Sequence, residues 1–95
     1  MVIGSGRISF RLPDCHSLKD KRRRVRAITA RIQNEFNISV AEVGANDMLQ
    51  RAEIGFAMVG NDGRYISSKM DKLLNMVEAW RVADVIDSET ELMHL

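Results

Sequence analysis

Polar and apolar residues alternate without a break from Arg7 to Leu12, with Ile8, Phe10 and Leu12 on one side and Arg7, Ser9 and Arg11 on the other. That period of two predicts a half-buried strand, stopped by Pro13-Asp14. Beyond it the period lengthens. Leu18, Val25, Ile28, Ile32 and Phe36 fall on one helical stripe, opened by a capping box of Ser17 and Asp20 and ended at Asn37. Residues 38–43 and 51–59 predict two strands joined by a turn around Gly44-Ala45-Asn46-Asp47, the second with Ala52, Ile54, Phe56 and Met58 inward. Gly60-Asn61-Asp62-Gly63 leads into a second helix with a stripe of Ile66, Met70, Leu73, Leu74, Val77 and Trp80, and a last strand covers roughly 83–94.

The order β-α-β-β-α-β predicts an α+β fold of the ferredoxin-like type. One domain spans 1–95. Right-handed crossovers give an antiparallel four-stranded sheet in the order 4-1-3-2, with two helices on one face. That order places outward Arg7 and Arg11 of the first strand beside outward Asp87, Glu89 and Glu91 of the last. Opposite charges across neighbouring strands support the pairing by about 0.2–1 kcal/mol each.

Composition narrows the chemistry. Apolar residues make up 45% of the chain, enough for a packed core, but only Phe10, Phe36, Phe56, Tyr65 and Trp80 are aromatic. Aliphatic residues and methionines at 58, 70 and 76, with those at 48 and 93, supply the rest of the core. Cys15 is the single cysteine, so no internal disulfide forms. The start of the chain has no secretory pattern and no apolar run reaches membrane length, so a cytoplasmic protein is expected.

Candidate catalytic or metal-binding groups are few. Cys15-His16 sets a thiol beside an imidazole, but a nucleophilic pair needs a hydrogen bond and an orienting third group. With His94 far along the chain, no metal set and no cofactor site is expected. Gly60-Asn61-Asp62-Gly63 has the spacing of a KH-domain clamp, yet its acidic centre suits a turn and helix cap. Gly4 and Gly6 on the inward side of the first strand are expected to admit close helix packing.

Charge is distributed very unevenly. Residues 19–31 hold seven of the fourteen Lys and Arg against one acid, a formal +6, while the remaining residues carry −5. A cationic segment of this density attracts polyanions by counterion release. It falls at the start of the first helix, where the macrodipole disfavours cations by about 0.3–1 kcal/mol each and free backbone N–H groups favour anions. The candidate nucleic-acid-binding residues are therefore His16, Ser17, Lys19, Lys21, Arg22, Arg23, Arg24 and Arg26. The alternative is a solvated helix face with no such role.

An RNA-recognition motif would need aromatics on the outer face of its central strands, and Arg7, Ser9, Arg11, Glu53, Gly55, Ala57 and Val59 stand there instead. Any RNA contact thus moves to the helix. Ala41, Val43, Gly55, Ala57 and Val59 form a small-residue patch suited to protein contact, which points to a homo-oligomer through the sheet. Glu42, Asp47, Gln50, Arg51 and Glu53 crowd the central hairpin, either as a salt-bridged rim or as a protein-contact site.

Pro13-Asp14, then His16-Ser17-Leu18-Lys19-x-Lys21-Arg22, resembles the opening motif of a family of small bacterial proteins of unknown function typified by YlxP. Ser39 to Gly44, Asp47, and Gln50-Arg51-Ala52-Glu53-x-Gly55 are similar to its central signature, and Asn61-Asp62 also fits. Cys15 stands where a small residue is usual, and Met48-Leu49 where the family is more aromatic. The resemblance implies a ferredoxin-like fold and, because family genes often neighbour those of translation initiation and ribosome maturation factors, a role near the ribosome or its RNA. It supplies no catalytic residues. Two functions follow as expectations. One is a non-enzymatic accessory protein that contacts ribosomal or other RNA phosphates through the first helix. The other is a homo-oligomeric regulatory or structural module, paired through its sheet and binding a small ligand.

Overall fold

The computed structural model describes residues 1–80 and 83–95. Along the chain run β1 (Val2–Arg11), α1 (Leu18–Phe36), β2 (Ser39–Gly44), β3 (Arg51–Gly60), α2 (Gly63–Ala79) and β4 (Asp84–His94). The strands form one four-stranded antiparallel sheet in the order β2-β3-β1-β4, which is the expected ferredoxin-like arrangement. Both helices bury their apolar stripes against one face of it. Val25, Ile28 and Ile32 of α1 and Ile66, Met70, Leu73 and Val77 of α2 meet Ile8, Phe10, Ala52, Ile54, Phe56 and Met58 in a single core. Each large aliphatic buried here contributes about 1.5–3 kcal/mol, which is how a chain with few aromatics holds together.

Local signals explain the boundaries. The Ser17 hydroxyl accepts from the Asp20 backbone N–H at 3.1 Å, closing the N-terminus of α1. Only half of the expected capping box forms, because the Asp20 carboxylate turns to Arg23 instead of reaching back to the cap. Asn37, left-handed at φ 50, ends α1 with its N–H on the Gln33 carbonyl. Asp62 caps α2 by accepting from the Arg64 backbone N–H at 3.0 Å, so Gly60-Asn61-Asp62-Gly63 is a turn and cap as expected.

Three differences from the sequence reading have physical causes. β1 begins at Val2, five residues before the alternation becomes visible. Gly4 conceals the inward side of that stretch. A Cβ there would sit 2.5 Å from Ile66 Cγ2 and 3.0 Å from Met70 Sδ, so glycine lets α2 lie on the strand. At Gly6 the space is filled by the Phe56 ring from the neighbouring strand, not by a helix. Met58, Met70 and Met76 do join the core, whereas Met48 and Met93 are 52% and 42% exposed on the hairpin loop and on the edge strand.

Candidate nucleic-acid interface

Helix α1 starts after the short loop from Leu12 to Ser17, and its exposed first turns carry most of the basic cluster. His16, Ser17, Lys19, Arg22, Arg23, Arg24 and Arg26 line one open groove of about 980 Å³ together with Asp14 and Asp20. Seven of the eight residues singled out from the sequence are thus brought together. The formal charge of the groove is +3, from five Lys and Arg and two Asp, and it adjoins the positive end of a helix of 19 residues.

Lys21 is the exception. It points inward, 2% exposed, and cannot meet a ligand in the groove. Its Nζ donates to the Ala45 carbonyl at 2.5 Å and lies 3.1 Å from Glu42 Oε2. The contact with Glu42 is an ion contact without an aligned hydrogen bond. Lys21 therefore occupies the gap of seven residues between Leu18 and Val25 in the apolar stripe, one turn before Val25. Leu18, by contrast, is 43% exposed. That gap was the available signal. A helix turn that must face the core with no apolar residue to offer has to bury something else. The partner, Glu42, sits on the inward side of β2, two residues along from Val40.

The remaining cations fall into two groups. Arg24 forms a two-point pair with Asp14, at 2.7 and 3.0 Å, and its Nε lies 3.4 Å from Asp20. Arg23 donates to Asp20 at 2.6 Å. The hydrogen bonds from Arg24 hold the Asp14 carboxyl down at about 2, and those from Arg23 likewise lower that of Asp20. Lys19, Arg22 and Arg26 make no ion pair among the described residues and are exposed. Asp14 and Glu42 are counter-ions that a count over residues 19–31 leaves out. Outside the groove, Arg31 stacks on Trp80 with its guanidinium 4.5 Å from the ring centre.

Neighbouring polar groups have structural tasks. His16 Nδ1 lies 3.5 Å from Gln50 Nε2, and the Gln50 carbonyl accepts from Leu12 N–H at 3.0 Å. The hairpin loop thereby braces the loop that precedes α1. The Cys15 thiol is buried against the Ser17 carbonyl at 3.7 Å, and burial raises its pKa, with Asp20 adding to the shift. Thiol and imidazole each face other partners and do not form a nucleophilic pair. Among the described residues there is no group of three or more His, Cys, Asp or Glu placed to hold a metal ion. Of the crowded hairpin, Glu42 and Gln50 serve the contacts above and Glu53 lies 3.9 Å from Arg7, while Asp47 and Arg51 are exposed.

Among the described residues, the outer face of the sheet carries no aromatic platform. Ala41, Val43, Ala57 and Val59 are exposed and Gly55 is half-buried, with Val43 and Val59 exposed by 56% and 68%. No helix of the described residues is long and apolar enough to cross a membrane.

Comparison with known proteins gives the same fold. The structure superposes on acylphosphatase from Bacillus subtilis with a TM-score of 0.56 and 11% identity, covering 100% of this chain and 88% of that one. Identity that low speaks to the fold alone. In sequence the chain is 29% identical over 90 residues to the uncharacterized protein YlxP of Bacillus subtilis, covering 95% of this chain and 98% of that protein. A family model described as "Protein of unknown function (DUF503)" matches residues 3–90, and the chain belongs to that family.

Proposed function

We propose that the protein is a small cytoplasmic, non-enzymatic accessory factor that contacts ribosomal or other RNA through phosphates held at the start of α1. The observation that carries this reading is the groove itself, with a formal +3 at the positive end of a helix dipole and three exposed cations unpaired among the described residues. Lys19, Arg22 and Arg26 follow each other at three and four residues, so they stand on one side of the helix over two turns, about 10 Å apart end to end. Arg23 and Arg24 are oriented by Asp20 and Asp14 and give shape more than free charge. The mode is backbone recognition, because among the described residues no Phe, Tyr or Trp lines the groove, and its His16 ring lies against Gln50. Sedimentation of the native protein with ribosomal subunits tests the proposal. Travel with a subunit at low salt and release as salt is raised support it; migration at the top of the gradient at every salt concentration refutes it.

A second reading rests on the outer sheet face. Ala41, Val43, Gly55 and Ala57 line one shallow depression and Val59 is exposed on the same face, so these five residues offer a surface for sheet-to-sheet pairing of two copies, with a small ligand at the seam. Light scattering that gives the monomer mass at high protein concentration excludes it.

A further inference from the structure

The two edges of the sheet are built very differently. β2 is an edge of six residues, interrupted by a bulge between Glu42 and Gly44 and tied to α1 through Lys21. Shortness and bulging are ordinary means of blunting an edge. β4 is an edge of 11 residues that among the described residues pairs only with β1, and every residue in it except Val85 is exposed. Its own bulge lies near the start, where Ser9 pairs with Asp87 and Phe10 with Val85, leaving Ile86 as the extra residue. From Asp87 to His94 the ladder is regular, and on its far side the strand's backbone groups meet no other strand among the described residues.

Glu89 lies opposite outward-facing Arg7 and bonds to it, so Asp87, Glu89 and Glu91 share the outer face at the two-residue period of a strand. The inner row, Ser88, Thr90, Leu92 and His94, is exposed as well. Pairing of this edge with a second copy about a two-fold axis would set the acidic row against itself, and like charges directly opposite each other destabilise a ladder. The same row is complementary to a cationic strand.

We infer that β4 is a docking edge for an extended, basic segment of another protein, which adds as a fifth strand beside Asp87–His94 with its Lys or Arg side chains against Asp87, Glu89 and Glu91. Main-chain hydrogen bonds supply affinity in this mode, and the side chains of alternate residues supply selectivity. The inference is independent of the phosphate reading, because the acidic row lies on the sheet face opposite α1.

The test uses the full chain and a synthetic peptide of alternating lysine and threonine. Binding is read by fluorescence anisotropy, and the site by amide hydrogen exchange in NMR spectra. The expected result is slowed exchange for β4 amides between Ser88 and Met93, tenfold or more. The double variant Asp87→Lys, Glu91→Lys should weaken binding about tenfold or more while keeping the native spectrum. The same peptide N-methylated at alternate residues keeps its charge but loses the backbone donors, and should not bind. Equal binding of the N-methylated peptide, equal binding of an alternating glutamate and threonine peptide, or protection confined to other elements would overturn the proposal. Slowed exchange in β4 that grows with protein concentration in the absence of peptide would overturn it in favour of a second copy.

Discussion

The first turns of α1 and the edge strand β4 are the two charged extremes of this molecule, and they manage charge in opposite ways. In α1 each cation has a distinct environment: Lys21 is buried on Glu42 and Ala45, Arg23 and Arg24 are held by Asp20 and Asp14, Arg31 lies on Trp80, and Lys19, Arg22 and Arg26 face solvent. In β4 the acids are arranged by the strand period alone, with Glu89 set against Arg7 across the ladder. The lesson is that a formal charge summed over a segment is a poor measure of what the segment offers a partner. Of the seven cations in the run of +6, three stand in the groove without an ion pair among the described residues and Arg31 lies on Trp80, whereas Asp87 and Glu91 stay exposed along an edge that meets no further strand among the described residues.

Removing the buried cation should cost the fold most. Lys21→Ala leaves Glu42 without its counter-charge and frees the Ala45 carbonyl, and should lower unfolding stability by about 3 kcal/mol. Urea denaturation measures it, and the pair Lys21→Met with Glu42→Leu should recover most of the loss. An unchanged midpoint for Lys21→Ala would mean that the side chain is solvated after all.

Acid titration reads the paired side of α1. The Asp14 carboxyl is lowered from 3.8 to about 2 in the folded state, so its pairing with Arg24 stabilises the fold fully above 3.8 and is lost as pH falls toward 2. Asp14→Asn should therefore flatten the fall of stability over that window, as followed by thermal melts at successive pH values. At neutral pH the same variant releases Arg24 and should tighten RNA binding slightly. The smallest effect belongs to β4. Removing the exposed contact between Glu89 and Arg7 with Glu89→Gln should cost no more than about 0.5 kcal/mol in the same denaturation assay.

How much of this was legible in the sequence depends on which interaction decided each feature. The helices, the inward face of β3 and the strand order follow from periodicity, caps and crossover handedness, and the expected neighbours Arg7 and Glu89 do meet. Alternation alone does not mark the start of β1, because Gly4 and Gly6 are small for the sake of α2 and Phe56, which approach from distant parts of the chain. The groove was legible as a cluster, since its cations are consecutive along one helix. Which of them are free was not. That is set by Asp14 across a loop and by Glu42 on β2, contacts that no local spacing encodes, although the apolar gap between Leu18 and Val25 marked the turn where Lys21 is buried.

We propose that Lys19, Arg22 and Arg26 on α1, and not the whole basic run, hold phosphate. The salt dependence of RNA affinity tests it most directly, comparing the native protein with Lys19→Gln, Arg22→Gln, Arg26→Gln combined, and with Arg23→Gln, Arg24→Gln combined. The triple variant should shallow the slope of log K against log salt by about 2–3, close to 0.7–0.9 per lost phosphate contact, and the double variant should shallow it less. An unchanged slope in the triple variant, or a larger change in the double, would contradict it.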